Sequence, residues 1–255
     1  KQLRDPRPAL LRLARYHNEA DLGRDHGVRG VVRATALHRV GRSLAIEFED
    51  IGAQSLAQLL SKEAPSVDQA LAVVEEVTRQ LAGLHAAGIV HRDVNPSNIV
   101  RASTSGRVQL IDLGIATRRP ASVPVSRPPD QLEGTLVYIS PEQTGRLNRA
   151  VDSRTDIYSL GCTLFELLTG RPPFLETDLF GLVHAHIAKP APAPTTVRPD
   201  LPEAVDTLVA RMIAKSPDQR YQSAAGVHAD IRRLRARLED GLTAPFPLAT
   251  DDHAT

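Results

Sequence analysis

Residues 91 to 98 read HRDVNPSN, and residues 112 to 114 read DLG. Together they place two carboxylates, Asp93 and Asp112, and one carboxamide, Asn98, close to the apolar pair Ile89 and Val90. Hard oxygen donors of this kind suit Mg²⁺. Phosphoryl transfer from a nucleotide asks a protein for little covalent chemistry. It needs metal held against the phosphates and a group that accepts or orients the proton of the attacking hydroxyl. Asp112 and Asn98 are the candidate metal ligands, and Asp93 is the candidate for the hydroxyl proton.

These residues must be held by the elements around them. A polar stretch from Arg12 to Arg24 has helical spacing. GVVRATAL (30–37) and SLAIEFED (43–50) read as strands split by a glycine-containing turn. Ser66 with Gln69 forms a capping box. Leu71, Val74, Leu81 and Leu84 then share one helix face, and Gly88 stops the helix. NIV (98–100) and VQLID (108–112) read as short strands joined by a Ser/Gly turn. Residues 115–133 carry four prolines, Pro120, Pro124, Pro128 and Pro129, and little periodicity, so a long functional loop is expected there. Beyond it the pattern is helical. Leu160, Leu164, Leu167 and Leu168 mark one helix, closed by Gly170 and Pro172. Val227, Ile231, Leu234 and Leu238 mark the last, with the basic run RRLRAR (232–237) on its wet face. Residues 241–255 read as a linker.

The bulk numbers narrow the classes. A chain of 255 residues fits one large domain or two lobes sharing a cleft. A net charge of +1 gives no electrostatic case for nucleic acid or an anionic membrane. No apolar run approaches the roughly 18 residues of a membrane span. The single cysteine, Cys162, excludes an internal disulfide and fits a reducing, cytoplasmic setting; on a mostly apolar helix it is expected in the core. His184 and His186 stand two apart, a poor spacing for one helix face, so no zinc site is inferred.

The order H-R-D, four residues, Asn, then D-x-G after a strand resembles the protein kinases. The chain resembles a bacterial eukaryotic-like Ser/Thr protein kinase from Lys1 to about Asp240. GTLVYISPE (134–142) is similar to that family's substrate-binding segment, DIYSLGCTLFELLTGRPPF (156–174) to its buried helix, and SPDQRY (216–221) to the segment that supplies a structural arginine. The resemblance implies an α+β, two-lobed fold. Residues 1–53 would be a partial N-lobe, truncated at its start, residues 54–240 a mainly helical C-lobe, and 241–255 the linker. It implies ATP and Mg²⁺ as cofactors and protein Ser/Thr hydroxyls as substrate. Lys1 would contact the phosphates with Glu19 as its partner. Phe48 would be the gatekeeper, and the backbone from Glu49 to Ile51 would bind adenine. His91 and Asp156 would be structural, Arg92 would couple to a phosphorylated loop, and Arg220 would pair with Glu142. Thr135 would line the substrate pocket and argues against tyrosine specificity. Thr117, Ser122 and Ser126 are the autophosphorylation candidates.

YISPEQTGRLNRAVDSRTDIYSLG and HAHIAKPAPAP resemble, more narrowly, the N-terminal kinase domain of bacterial proteins that continue into an AAA-like ATPase, a GAF domain and a sensor histidine kinase. Two departures stand out. Asn95 occupies the place of a lysine that neutralises γ-phosphate charge, and losing such a donor typically costs about 10²–10³ in rate. Leu113 replaces a phenylalanine as an apolar substitute. A glycine-rich loop is expected upstream of Lys1, and the 255-residue piece alone is expected to be inactive or nearly so. The rival reading is a pseudokinase that binds nucleotide and gates a downstream module. A small-molecule phosphotransferase ranks below both, because GTLVYISPE is a protein-substrate segment.

Overall fold

A strand pair buried at Ala34, Ser43 and Ile46 begins the smaller lobe. In a computed structural model, which describes residues 1–3, 10–24, 30–41, 43–118 and 134–252, β1 (Ala34–Val40) pairs antiparallel with β2 (Ser43–Phe48). Lys1 to Leu3 run along the other edge of β2, with Ile46 N donating to Lys1 O at 2.8 Å and Leu3 N to Leu44 O at 3.0 Å. Helix α1 (Leu10–Gly23) lies across this sheet. Tyr16 and Ala20, one turn apart, pack with Leu3, Ala34 and Ile46 into a small core. Glu19 is buried on the same helix. The strand expected from residue 30 starts at Ala34. Gly30, at φ 95°, and Val31, bridged in parallel to Leu110, instead tie the two lobes.

Below, β3 (Ala53–Ser55), β5 (Ile99–Ala102) and β6 (Val108–Leu110) form an antiparallel sheet in the order β3-β5-β6. Short α2 (Leu56–Leu60) follows a Ser55–Gln58 capping box. Helix α3 (Val67–Ala86) opens on the box read from sequence, with Ser66 and Gln69 bonded reciprocally, and Gly88 follows at φ 72°. β4 (Ile89–Val90) pairs with β7 (Thr117–Arg118), a two-residue strand the sequence reading missed. Helix α4 (Ser153–Thr169) is buried nearly all round, as a helix must be at the centre of a lobe. It passes so close to α7 (Glu203–Met212) that a Cβ on Gly161 would lie 2.7 Å from Met212 Cβ. Cys162 is buried on α4. Helices α5 (Leu179–Ala188), α6 (Pro194–Val197) and α8 (Ala224–Glu239) complete the larger lobe. The result is the two-lobed α+β arrangement expected. Among the described residues no helix is long and apolar enough to cross a membrane.

Two readings need correction. Residues 241–252 are not a free linker. Phe246, Leu248 and Ala249 pack against the main core, and Ala204 N donates to Thr243 O at 3.1 Å. The basic run on α8 is also more than a wet face: Arg235 binds Asp68 and Glu75 of α3, while Arg233 and Arg237 lie over the Phe246 ring.

Candidate active site

The catalytic loop hangs from one buried carboxylate. Asp156, in the first turn of α4, accepts from His91 N at 2.9 Å and from Arg92 N at 2.7 Å. His85 of α3 bonds the same carboxylate at 2.9 Å. These bonds hold Arg92 at φ 70°, a left-handed conformation that costs an ordinary residue about 1–3 kcal/mol. His91 is fully buried; its Nδ1 accepts from Asp93 N and its Nε2 faces Ile111 O at 3.1 Å. The ring therefore carries its proton on Nε2 and bridges the Asp93 and Asp112 loops. Both of its ring nitrogens are thus engaged within the protein.

Asp93 is presented by three partners. Its Oδ1 accepts from Thr135 N at 2.8 Å and Asn95 Nδ2 at 3.0 Å, and its Oδ2 accepts from Asn98 Nδ2 at 2.9 Å. Each carboxylate oxygen has two lone pairs. Oδ1 is thus saturated, and Oδ2 keeps capacity for one more proton donor. Asn95 is 1% exposed. Its amide also donates to Thr135 Oγ1 at 3.2 Å, and its Oδ1 accepts from Ser97 N at 2.9 Å. Its side chain is engaged with Asp93, Thr135 and Ser97, and it does not line the cleft.

The second carboxylate comes from the segment after β6. Asp112 stands at φ 66°, which aspartate tolerates better than most residues. Lys1 Nζ reaches Asp112 Oδ2 and Glu19 Oε2, each at 2.8 Å. Burial opposes the Lys1 ammonium, but the two carboxylates outweigh it and hold its pKa above the ordinary value. Burial, and then the charge of Asp112, push the Glu19 carboxyl up against the pull of Lys1. Asn18, beside Glu19, donates to the carbonyls of Leu113 and Ala116 at 2.9 Å, so α1 clamps the Asp-Leu-Gly segment directly. The sequence reading passed over Asn18; an asparagine inside a helix, where its propensity is poor, was the signal available.

Two clefts meet at this ion cluster. One, of about 310 Å³, is lined by Lys1, Glu19, Asp93, Asp112, Gly134 and Thr135, with Arg12 and Arg15 of α1 at its side. The other, of about 410 Å³, is lined by Val32, Phe48, Glu49, Ile51, Val100 and Ile111. The first is polar and charged. The second is mainly apolar, with the backbone of 49–51 at its edge. Asp112 and Asn98 offer carboxylate and amide oxygens, a donor set that fits Mg²⁺ when phosphates and water supply the remaining ligands. With Nδ2 of Asn98 committed to Asp93, its Oδ1 is the atom that would face a metal.

Under the cleft, Glu142 and Arg220 form a two-pronged pair at 2.7 and 2.9 Å. Thr155 donates to the same carboxylate at 2.7 Å, and Gln143 Nε2 donates to Arg92 O at 2.8 Å. Segment 134–145 is thereby tied to both the catalytic loop and α4. Thr117 Oγ1 is buried and its backbone is paired with Val90, so phosphate could be added there only after β7 came away. Ser122 and Ser126 lie outside the described residues.

The protein kinase domain family matches residues 3–230. The chain belongs to that family. Among individual proteins, it is 34% identical over 192 residues to the serine/threonine-protein kinase PknB of Mycobacterium leprae, covering 75% of this chain and 30% of the relative. It is 37% identical over 194 residues to a probable serine/threonine-protein kinase of Corynebacterium efficiens, covering 74% of this chain and 29% of the relative. PknB of Mycolicibacterium smegmatis is 33% identical over 190 residues, 74% of this chain and 30% of the relative. The kinase-family chain thus spans about three-tenths of the length of the relatives it matches.

Proposed function

We propose that this chain carries the catalytic site of a bacterial serine/threonine protein kinase, which transfers the γ-phosphate of ATP to Ser or Thr hydroxyls of proteins. The observation that carries the reading is the Asp93 carboxylate, saturated on Oδ1 and open on Oδ2, facing the same cleft as the Lys1–Glu19–Asp112 cluster. The substrate hydroxyl donates to Asp93 Oδ2. Its oxygen bonds to the γ-phosphorus, the bond from phosphorus to the β–γ bridging oxygen breaks, ADP leaves, and the hydroxyl proton passes to Asp93. Lys1, oriented by Glu19, meets the α- and β-phosphates. Adenine enters the apolar cleft past Phe48, against the backbone of Glu49 to Ile51. Asn98 and Asp112 would hold Mg²⁺, which neutralises charge on the phosphates. Asn95 serves by fixing Asp93 to Thr135 rather than by touching phosphate. Arg92 is the link to a phosphorylated loop, with Ser122 and Ser126 as the preferred sites. The setting is cytoplasmic signalling, and the narrower sequence resemblance makes ATPase and histidine kinase modules its proposed partners.

The test uses the full-length protein with Mg²⁺ and γ-labelled ATP, beside Asp93→Asn. Label is expected on Ser or Thr of protein, and it should fall by about 10²-fold or more in the variant, the usual contribution of a positioned acid–base group. No label with ATP still bound would replace this reading with the nucleotide-binding scaffold. Label that survives in Asp93→Asn would remove Asp93 from its role.

A further inference from the structure

The docked tail is bonded into the polar network that lies under the site. Helix α8 ends in a turn that reverses the chain: Gly241, at φ 75°, donates to Leu238 O at 3.0 Å, and Leu242 N donates to Arg237 O at 2.8 Å. The chain then runs back along α8. Arg237 and Arg233 lie over the Phe246 ring at 5.2 and 5.9 Å. Ala249, held at φ 61°, donates its N–H at 2.6 Å to Asp230, a carboxylate only 2% exposed that also accepts from Tyr221 OH.

The run ends on Asp252. Its Oδ2 accepts from Gln222 N at 2.6 Å, and its Oδ1 accepts from Ser223 N at 3.0 Å and Ser223 Oγ at 2.8 Å. The carboxylate thus sits at the positive end of α8. Space has been left for it: a Cβ on Gly226 would lie 2.3 Å from Asp252 Oδ1. Gln222 carries the link onward. Its Nε2 donates to Arg220 O at 2.8 Å and Pro217 O at 3.2 Å, and its Oε1 accepts from Arg154 Nη1 at 3.0 Å. Arg220 in turn donates to the Arg154 carbonyl at 3.1 Å and to both oxygens of Glu142.

We infer that Asp252 is a positioning residue for the substrate segment 134–145, acting through Gln222 and Arg220 on Glu142. Its role in turnover rests on the kinase reading above; its hold on the segment does not. The tail is then part of the catalytic lobe, and displacing it loosens the surface on which a protein substrate would lie.

Amide hydrogen exchange on the full-length protein tests this with two variants that act oppositely on the helix. Asp252→Ala removes the acceptor. Gly226→Ala keeps the carboxylate but evicts it sterically, while alanine favours the helix itself. Asp251→Ala, at an exposed neighbour, is the control. Deuterium uptake over 134–145 should rise several-fold in both variants and stay at the parent rate in the control. The KM for a protein substrate should rise several-fold while the KM for ATP holds. Faster exchange confined to 216–252 would overturn the inference. A parent protein that transfers no phosphate would sink the kinase reading and leave the exchange result to decide this one.

Discussion

Two ion clusters, each joining a cation to carboxylate, differ in how far they are sealed from solvent. Arg220 and Glu142 are 0% and 1% exposed, matched prong to prong, and the remaining guanidinium donors reach the carbonyls of Ala214, Lys215 and Arg154. Lys1 is 37% exposed and divides one ammonium between Glu19, 4% exposed, and Asp112, 38% exposed. A sealed pair with every guanidinium nitrogen bonded is out of reach of a ligand, so it can only hold the chain. An open cation shared by two carboxylates can be redistributed when phosphate enters the cleft. Burial, rather than the identity of the charges, separates the two.

The sharpest way to break the comparison is Arg220→Met. It leaves Glu142 buried with Thr155 as its remaining side-chain donor. Removing one member of a buried pair typically costs about 3–5 kcal/mol, read as a lower midpoint in urea with an unchanged slope. A loss under about 1 kcal/mol would mean that this pair is not the structural one.

Acid sharpens the same contrast. His186 of α5 is fully buried on the sealed side, bonded through Nδ1 to Tyr158 OH at 3.0 Å, and the Tyr158 ring lies 4.8 Å from the Arg220 guanidinium. Burial, and then the nearby Lys215 charge, lower its pKa from 6.5 to about 3. The unfolded chain takes up this proton below about pH 6.5, while the folded one does so only near pH 3. Stability from the neutral ring is therefore complete above pH 6.5 and is lost as pH falls toward 3, reaching about 2 kcal/mol by pH 5. His186→Gln should flatten the fall in unfolding free energy between pH 7 and pH 5 by about that much. An unchanged fall would place the acid-sensitive group elsewhere.

Much of the frame was legible because local signals agreed with the final packing. The Ser66 box, the apolar stripe on α3 and Gly170 behind α4 are each contained within one element. Asp93, Asn98 and Asp112 were legible for the same reason, as short motifs with fixed spacing. What escaped depends on contacts distant in sequence. Phe246 and Leu248 stand among prolines, glycine and polar residues without any period, so nothing local tells that they dock on α8. β7 is two residues long and exists because β4 lies beside it. Asn95 was read by what it lacks, a charge; that its amide is spent between Asp93 and Thr135 is visible only with all three loops in place.

The central claim is that the open cluster does the chemistry and the sealed pair does the holding, and Lys1→Met in the full-length protein tests it most directly. Lys1 is more than a third exposed, which screens its charge, and Glu19, whose carboxyl burial already pushes up, can take a proton once the cation is gone, so the loss of stability should stay well below that of Arg220→Met. Its loss from the phosphate site should still lower kcat by about 10²–10³. The account predicts that large fall in rate with an unfolding free energy close to the parent's. Retained activity, or a loss of stability as large as that of Arg220→Met, would contradict it.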